Sequence, residues 1–493
     1  MGLISPKKSC PIMLLFKFIL QIVISTAADA SRSVIINTEP RFIHDLVEGD
    51  NRSALLSIQL PEEKLKHGDW SLDFKPLRQS MYNVAEVDHA LHFKSSAFQY
   101  DEVTKYFNIS TPIVLKGNRM GKTAYLVHLV RADGTEDSGN DTIRDEYTSE
   151  ETFDIWVRRS AGSEKLTHYF VMSVVTLIIL ANIMMGCEID MNVVVSTIRR
   201  PLAPFIGFLT QFVIMPLLAY GIAIFVFMPR GLPSMALGIF ITGCSPGGGA
   251  SNYWTLLLDG NVNLSVTMTF VSTVLSLVMM PLWLSWLGSR FLGGFSSQTQ
   301  MKVPYANITR SLFVLVLPLL IGVAIQRFKP TWAIRARQVM RPFIIFVLVF
   351  VVLFGCISNS YMFYMMSWPA IFGGLLLPWC GFMFGCFASI LFRQSPSDVT
   401  AIAIETGIQN TGVSIFLLKA SFAQPDADIG SVIPVIVACF TPIPLLLGAA
   451  VHTMLKMLKK RRQTIVDCEV QKEASVEMLS AANILIPLPE AQS

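Results

Sequence analysis

A chain of 493 residues with 52% hydrophobic and only 15% charged side chains lies outside the range of ordinary soluble domains, in which about a quarter of residues are charged. Its formal net charge of +4 is small and dispersed, which excludes a nucleic-acid binder, because phosphate recognition needs a concentrated basic surface. The eight cysteines, at 10, 187, 244, 356, 380, 386, 439 and 468, leave none between residues 31 and 165 and show no paired ligand spacing, which excludes a disulfide framework there and a zinc centre anywhere.

The amino end carries Lys7 and Lys8, an apolar run over 11–24 and the small residues Ala27, Ala28 and Ala30, the order of a cleavable secretory signal spanning 1–30. The run is short for a bilayer span, which needs ~20 residues. An uncleaved anchor would leave the following segment on the same, outer side. Over 31–165 charged residues concentrate, and runs rich in Val, Ile, Phe and Tyr at 33–36, 55–59, 124–130 and 153–157 alternate with polar turns. This pattern predicts an extracellular β-sandwich-like domain large enough to bury its own core. Asn51, Asn108 and Asn140 head Asn-x-Ser/Thr sequons, which agree with a lumenal placement and mark glycosylation candidates.

Beyond residue 166 the composition turns apolar, and about nine transmembrane helices are predicted near 168–188, 202–228, 234–257, 262–288, 308–326, 341–358, 367–392, 398–420 and 430–456. With the β-domain outside, the inner loops collect Arg199, Arg200, Arg327, Lys329, Arg335, Arg337, Arg341 and Arg393, as basic residues should on the cytoplasmic side. The carboxyl end is then cytoplasmic, and 459–493 reads as an aperiodic tail after a membrane domain over 166–458. Such a polytopic α-helical protein of the secretory pathway, placed here in the plasma membrane, has lipid as its surroundings.

Past Asp190, Glu405 is the one carboxylate deep inside an apolar span, while Asp259, Asp398, Asp426 and Asp428 read as loop or loop-edge residues. Burying it costs several kcal/mol unless something compensates. Gly407 and Gly412 loosen the helix around it, and Gln409 and Asn410 add amide oxygens. The third span carries a matching interruption, Gly243-Cys-Ser-Pro-Gly-Gly-Gly-Ala-Ser-Asn252, in which proline removes a donor and glycines permit irregular backbone. Irregular backbone at membrane depth lines a cavity, and carbonyls with a carboxylate suit a small hard cation. Ser265 and Thr269, four apart, share one face of the fourth span. The breaks fall in spans three and eight, five apart, as in an inverted repeat whose two broken helices cross near the midplane. Amides at the second half-helices would then face an anionic substrate. The blander readings are a packed, hydrogen-bonded Glu405 and a small-residue helix contact at the glycines.

Together the strings Met185-Gly, Gln211-Phe-Val-Ile-Met-Pro216, Gly243 to Asn252, Gly260-Asn-Val-Asn-Leu-Ser265 and Glu405-Thr-Gly-Ile-Gln-Asn410 make 166–458 resemble the bile acid:sodium symporter family, in particular members with a large extracellular amino-terminal domain. The resemblance implies a panel and a core domain. It implies sodium sites built from Ser251, Asn252, Ser265, Thr269 and Glu405, and from Gln211, Glu405, Gln409 and carbonyls near Thr406 and Ile408. It implies substrate contact near Asn410 and Gly249, the latter standing where some relatives carry a hydroxyl residue. The expected activity is sodium-coupled symport of an organic anion (bile acid, steroid sulfate or small carboxylate), with sodium as coupling ion and no other cofactor. The alternative is a non-transporting receptor or scaffold that binds a partner through the β-domain. An enzyme is not expected, since the spans hold no His-Glu-x-x-His and no paired catalytic aspartates.

Overall fold

The computed structural model describes residues 34–62, 65, 69–77, 83–87, 91–132, 146–149, 152–291 and 304–458. The signal segment, Asn140 and the tail named above lie outside the described residues.

The amino-terminal part is a two-sheet sandwich. One sheet runs β1 (Ile35–Glu39), β3 (Asn51–Pro61), β8 (Tyr106–Gly117), β5 (Ala85–Val87), with β7 (Gln99–Asp101) also on β8. The other runs β2 (Phe42–Val47), β11 (Phe153–Arg158), β9 (Gly121–Ala132), β4 (Asp69–Pro76), β6 (His92–Lys94), with β10 (Glu146–Thr148) on β9. All pairings are antiparallel except β11 with β2. Alternation drives the fold: Ala54, Leu56, Ile58 and Leu60 of β3 point inward, against Trp70, Leu72 and Phe74 of β4 and Ile155 and Val157 of β11. The Tyr125 hydroxyl donates to the Ala85 carbonyl at 2.6 Å and joins the sheets. Within the described part of the run read at 33–36 the strand begins at Ile35, where the edge pairing with Gln59 starts.

The rest is helical. Among the described residues six helices are long and apolar enough to cross a membrane. α1 (Ala161–Glu188) packs along α8 (Tyr305–Phe328) and α9 (Pro330–Ser358), forming one layer. α2 (Met191–Ile198) is a short amphipathic helix capped by Asp190. The second body starts with α3 (Leu202–Leu209), which continues through π-helical Thr210–Ile214 into α4 (Met215–Ile222) and a second π turn, Ala223–Phe227. The first broken span is α5 (Pro233–Cys244) and α6 (Ser251–Leu257), followed by α7 (Val262–Trp286). A short α10 (Tyr361–Tyr364) leads to α11 (Trp368–Leu391), the second broken span α12 (Pro396–Gly407) and α13 (Thr411–Ser421), and α14 (Asp426–Phe440), which continues as a span to Leu458. Prolines in the first turn open α5, α9, α11 and α12, where a missing amide hydrogen is harmless. Two helices of this layer begin farther out than their apolar stretches suggest: α1 starts seven residues before the span read at 168, and α9 eleven before that read at 341, while both end where the spans were read to end. Backbone hydrogen bonding carries a helix past the apolar stretch that hydropathy detects.

Where helices touch closely, glycines permit it. A Cβ on Gly186 of α1 would sit 2.2 Å from the Leu319 carbonyl oxygen of α8, and one on Gly322 would sit 2.1 Å from that of Ile183. Asn182 donates to the Leu315 carbonyl at 3.0 Å along the same seam. Gly186→Val is therefore expected to lower the melting temperature of the detergent-solubilised protein and its surface level, by an overpacking cost of about 1–3 kcal/mol. Gly162→Ala, with nothing within 4 Å of the new methyl, should change neither.

Candidate functional site

The two interruptions cross antiparallel. Gly247 and Gln409 form an isolated antiparallel bridge, in which the Gly248 amide donates to the Ile408 carbonyl and the Asn410 amide to that of Pro246, each at 2.9 Å. Backbone groups released by the breaks thus satisfy one another, as a low-dielectric interior demands. The flanking turns interlock as well: the Asn261 amide donates to the Ser397 carbonyl at 2.9 Å and its carboxamide to Asp398 at 2.8 Å. Asn261 and Ser395 also cap α7 and α12.

Glu405, 1% exposed, projects from α12 onto α7. Thr269 donates to its Oε1 at 2.8 Å, and Ser265 lies 3.3 Å from its Oε2. Ser265 Oγ is also 2.9 Å from Asn252 Oδ1 and 3.5 Å from Ser251 Oγ, while Ser251 Oγ is 3.2 Å from Thr269 Oγ1. Thr269 further approaches its own helix at the Ser265 carbonyl, 3.0 Å away. Each hydroxyl has one hydrogen and faces several acceptors, so oxygens meet here without a proton for every contact. Such a set suits a hard cation with several oxygen ligands.

A second cluster lies on the other side of the crossing. Gln211, on the first π turn, donates to the Ser245 carbonyl at 2.8 Å and to Gln409 Oε1 at 2.9 Å. Gln409 donates to the Thr406 carbonyl at 2.7 Å, and the hydroxyls of Thr210 and Thr406 are 2.8 Å apart. The Gln211 Oε1 is buried without a hydrogen-bond partner among the described residues. A buried acceptor in that condition costs about 1–3 kcal/mol unless a cation or water completes it. Gln211, Ser272 and Glu405 border a cavity of about 20 Å³, so Glu405 belongs to the first cluster and shares a cavity with Gln211 of the second.

The structure thus brings together Ser251, Asn252, Ser265, Thr269 and Glu405 in one cluster and Gln211, Thr406 and Gln409 in the other, with the Ile408 carbonyl engaged by Gly248. Asn410 stands apart: its carboxamide oxygen accepts from the Val413 amide at 3.1 Å and caps α13. This also occupies one of the amides read as facing an anion. Gly249 is half-buried, with the Met185 sulfur of α1 3.0 Å from where its Cβ would stand. Thr210 and Thr255 are the residues the sequence reading passed over. Thr255 donates to Ser265 at 3.3 Å, and both are fully buried hydroxyls inside spans, the signal that could have marked them.

Asp426 and Asp428 require a correction. Read from the sequence as loop or loop-edge residues, they do stand at a loop edge, in the first turn of α14, but they are buried there, Asp428 completely. Arg159 Nε donates to Asp428 Oδ2 at 2.8 Å and Lys419 to Asp428 Oδ1, while Lys122 pairs with Asp426. Their partners are remote in sequence or on another element, so local polarity alone suggested a loop.

Two crossed, broken helices inside an apolar bundle, with oxygen clusters on both sides of the crossing, define a polytopic membrane transport protein. The model of the Sodium Bile acid symporter family matches residues 175–365. The "Ileal sodium/bile acid cotransporter" of Oryctolagus cuniculus is 34% identical over 281 residues, 55% of this chain and 76% of that protein. The "P3 protein" of Homo sapiens is 32% identical over 258 residues, 51% of this chain and 52% of that one. The "Sodium/bile acid cotransporter 5" of Mus musculus is 31% identical over 300 residues, 61% of this chain and 66% of that one. The chain belongs to the sodium bile acid symporter family, a family of transporters and not of enzymes.

A Cβ on Gly247 would lie 2.1 Å from Glu405 Oε1, whereas one on Gly412 meets nothing closer than 3.5 Å. Gly247→Ala is expected to displace the carboxylate and abolish stabilisation of the purified protein by sodium over choline. Gly412→Ala should retain it. Equal sodium stabilisation in both variants would detach the carboxylate from cation binding.

Proposed function

We propose that this chain is a sodium-coupled symporter of an organic anion, its two sodium sites built from the clusters that share Glu405. The observation that carries this reading is a fully buried carboxylate met by two hydroxyls, which also reach an amide oxygen, and approached by the backbone of Gly247, with no cationic side chain among the described residues paired to it. Ser251, Asn252, Ser265 and Thr269 complete the first site. Gln211, Gln409 and the carbonyls of Thr406 and Ile408 complete the second. Each cation neutralises part of the buried charge and is held where the two repeats meet, so binding favours the closed crossing. The substrate is an anion of the bile acid, steroid sulfate or small carboxylate class, held near Asn410 and Gly249 beside the crossing. Names of the relatives support a bile acid, and Gly249 leaves room for another member of that class.

The sandwich faces the outside of the plasma membrane, with the carboxyl end in the cytoplasm. Asn51, exposed at the start of β3, and Asn108 on β8 carry glycans, as does Asn140. Glycosidase digestion of the protein from the secretory pathway should give a mobility step for each, and Asn51→Gln should remove one; no shift on digestion would reverse the orientation.

A receptor or scaffold is the second reading, favoured by how firmly the sandwich is seated on the bundle: Met120, on its β8–β9 hairpin, is buried within the helical core. The deciding measurement is uptake of anionic metabolites with and without sodium. Glu405→Gln should abolish sodium-dependent uptake at an unchanged surface level. Ser265→Ala with Thr269→Ala should raise the sodium midpoint by about five-fold or more while saturating sodium restores most of the substrate affinity, since coupling is reciprocal. A lower maximal rate with an unchanged midpoint would leave these hydroxyls as packing groups only.

A further inference from the structure

The sandwich is tied to both helical bodies at once. One residue, Ser160, separates Arg159 from α1, so the sandwich is continuous with the α1–α8–α9 layer. Its other contacts reach the second body. Met120 enters the helical core with Leu232 and Ile429, and Lys122 lies 3.8 Å over the Trp156 ring while pairing with Asp426. Asp426 accepts from Ser234 of α5 at 2.6 Å.

Arg159 is the hub. It is 3% exposed, stacks 4.3 Å over the Tyr361 ring and donates to Thr167 of α1 at 2.9 Å. Thr167 in turn donates to the Ser358 carbonyl at the end of α9. On its far side Arg159 meets Asp428 of α14, which also holds Lys419 in the last turn of α13. Lys419 donates to the Tyr361 hydroxyl at 3.0 Å. One desolvated network therefore joins the sandwich, the three-helix layer and the half-helix that starts at the crossing.

A buried ion pair is a two-state contact. Complete, its charges satisfy one another; stretched by a few ångströms without water, each is left uncompensated at a cost of several kcal/mol. Alternating access requires one helical body to shift against the other around the site. The layer and the core cannot shift at this end of the bundle while Arg159 and Lys122 stay engaged. We propose that the sandwich is a clamp on the transport core, closed in the state seen here through Arg159–Asp428 and Lys122–Asp426 and released in the alternate state. This rests on the symport reading for the motion it regulates, and assigns the amino-terminal domain a part in the cycle in place of partner binding.

The test uses the full chain with Lys122→Cys and Asp426→Cys, the exposed Cys439 replaced by Ala, and a membrane-impermeant bifunctional thiosulfonate. The rim pair is chosen because Arg159 and Asp428 are too deeply buried to alter without risking the fold. Linked protein should lose sodium-dependent uptake by about ten-fold and regain it on reduction. Undiminished uptake after complete linkage would overturn the clamp. Link yield on a gel needs no substrate: it should differ between sodium and choline, and lose that difference in Glu405→Gln. Equal yields in the two salts would also overturn it. Should the unlinked chain take up no anion while the yield still follows sodium, the symport reading falls and the sodium dependence of the clamp stands. In a separate variant, Lys122→Gln should shift the sodium midpoint by about five-fold at an unchanged surface level; an unmoved midpoint counts against the clamp.

Discussion

The fold of the helical part turns on a carboxylate that has been taken out of water with no cationic side chain among the described residues paired to it. Glu405 is as deeply buried as Asp428, yet the two are handled in opposite ways. Asp428 is met by Arg159 and Lys419, a permanent solution that ties elements together. Glu405 is met by Thr269 and Ser265, neutral donors that soften the desolvation cost and leave charge over. A site with leftover negative charge and surplus oxygen is open to a mobile ion, whereas a site already paired is closed to one. The broken helices follow from the same need: continuous helices would keep their carbonyls for themselves, and only the break at Gly247 to Gln409 lets backbone and carboxylate approach from both repeats.

How far the sequence revealed this depends on the range of the interactions involved. The breaks were legible because proline and glycine act on their own backbone, and the crossing falls at Gly247 and Gln409, inside the two motifs singled out. Ser265 and Thr269 were legible as a pair because helical spacing puts them on one face, and Glu405 because a carboxylate within an apolar run is conspicuous. Strand positions emerged wherever alternation was regular, as in β3. By contrast β8 carries Asn108, Ser110 and Pro112 in its middle, and only its full-length pairing with β3 makes it a twelve-residue strand. Asp426 and Asp428 escaped because nothing within several residues announces Lys122 or Arg159. A charge at a helix start looks the same whether it faces water or a domain hundreds of residues earlier in the chain. Asn410 was correctly placed beside the crossing, but its capping bond to Val413 depends on a local backbone geometry that composition does not encode.

The family match lies within the helical region, and the sandwich is joined to it through residues on both partners. Because Asp428 holds Lys419, and Lys419 belongs to the half-helix leaving the crossing, the domain contact and the oxygen clusters are linked by an element only eleven residues long. A substitution at the domain boundary can therefore reach the crossing through α13 without touching either oxygen cluster.

The two π turns in the span that carries Gln211 bear on how that span tolerates change in length. Each adds a residue to the winding without adding a turn, so the helical faces before and after it are out of phase with an uninterrupted α-helix. Gln211 sits within the first of them. Loss of a single residue anywhere from Thr210 to Ile214 would hardly shorten the span. It would close the π turn to an α turn without turning either flank about the axis, whereas the same loss in the α-helical stretches would swing one flank by roughly 100° and carry Gln211 away from Gln409 or the Phe212 carbonyl away from Trp283. In this part of the chain an alignment gap of one is absorbed by the winding, and relatives that differ there by a residue keep the same flanking faces turned to the crossing.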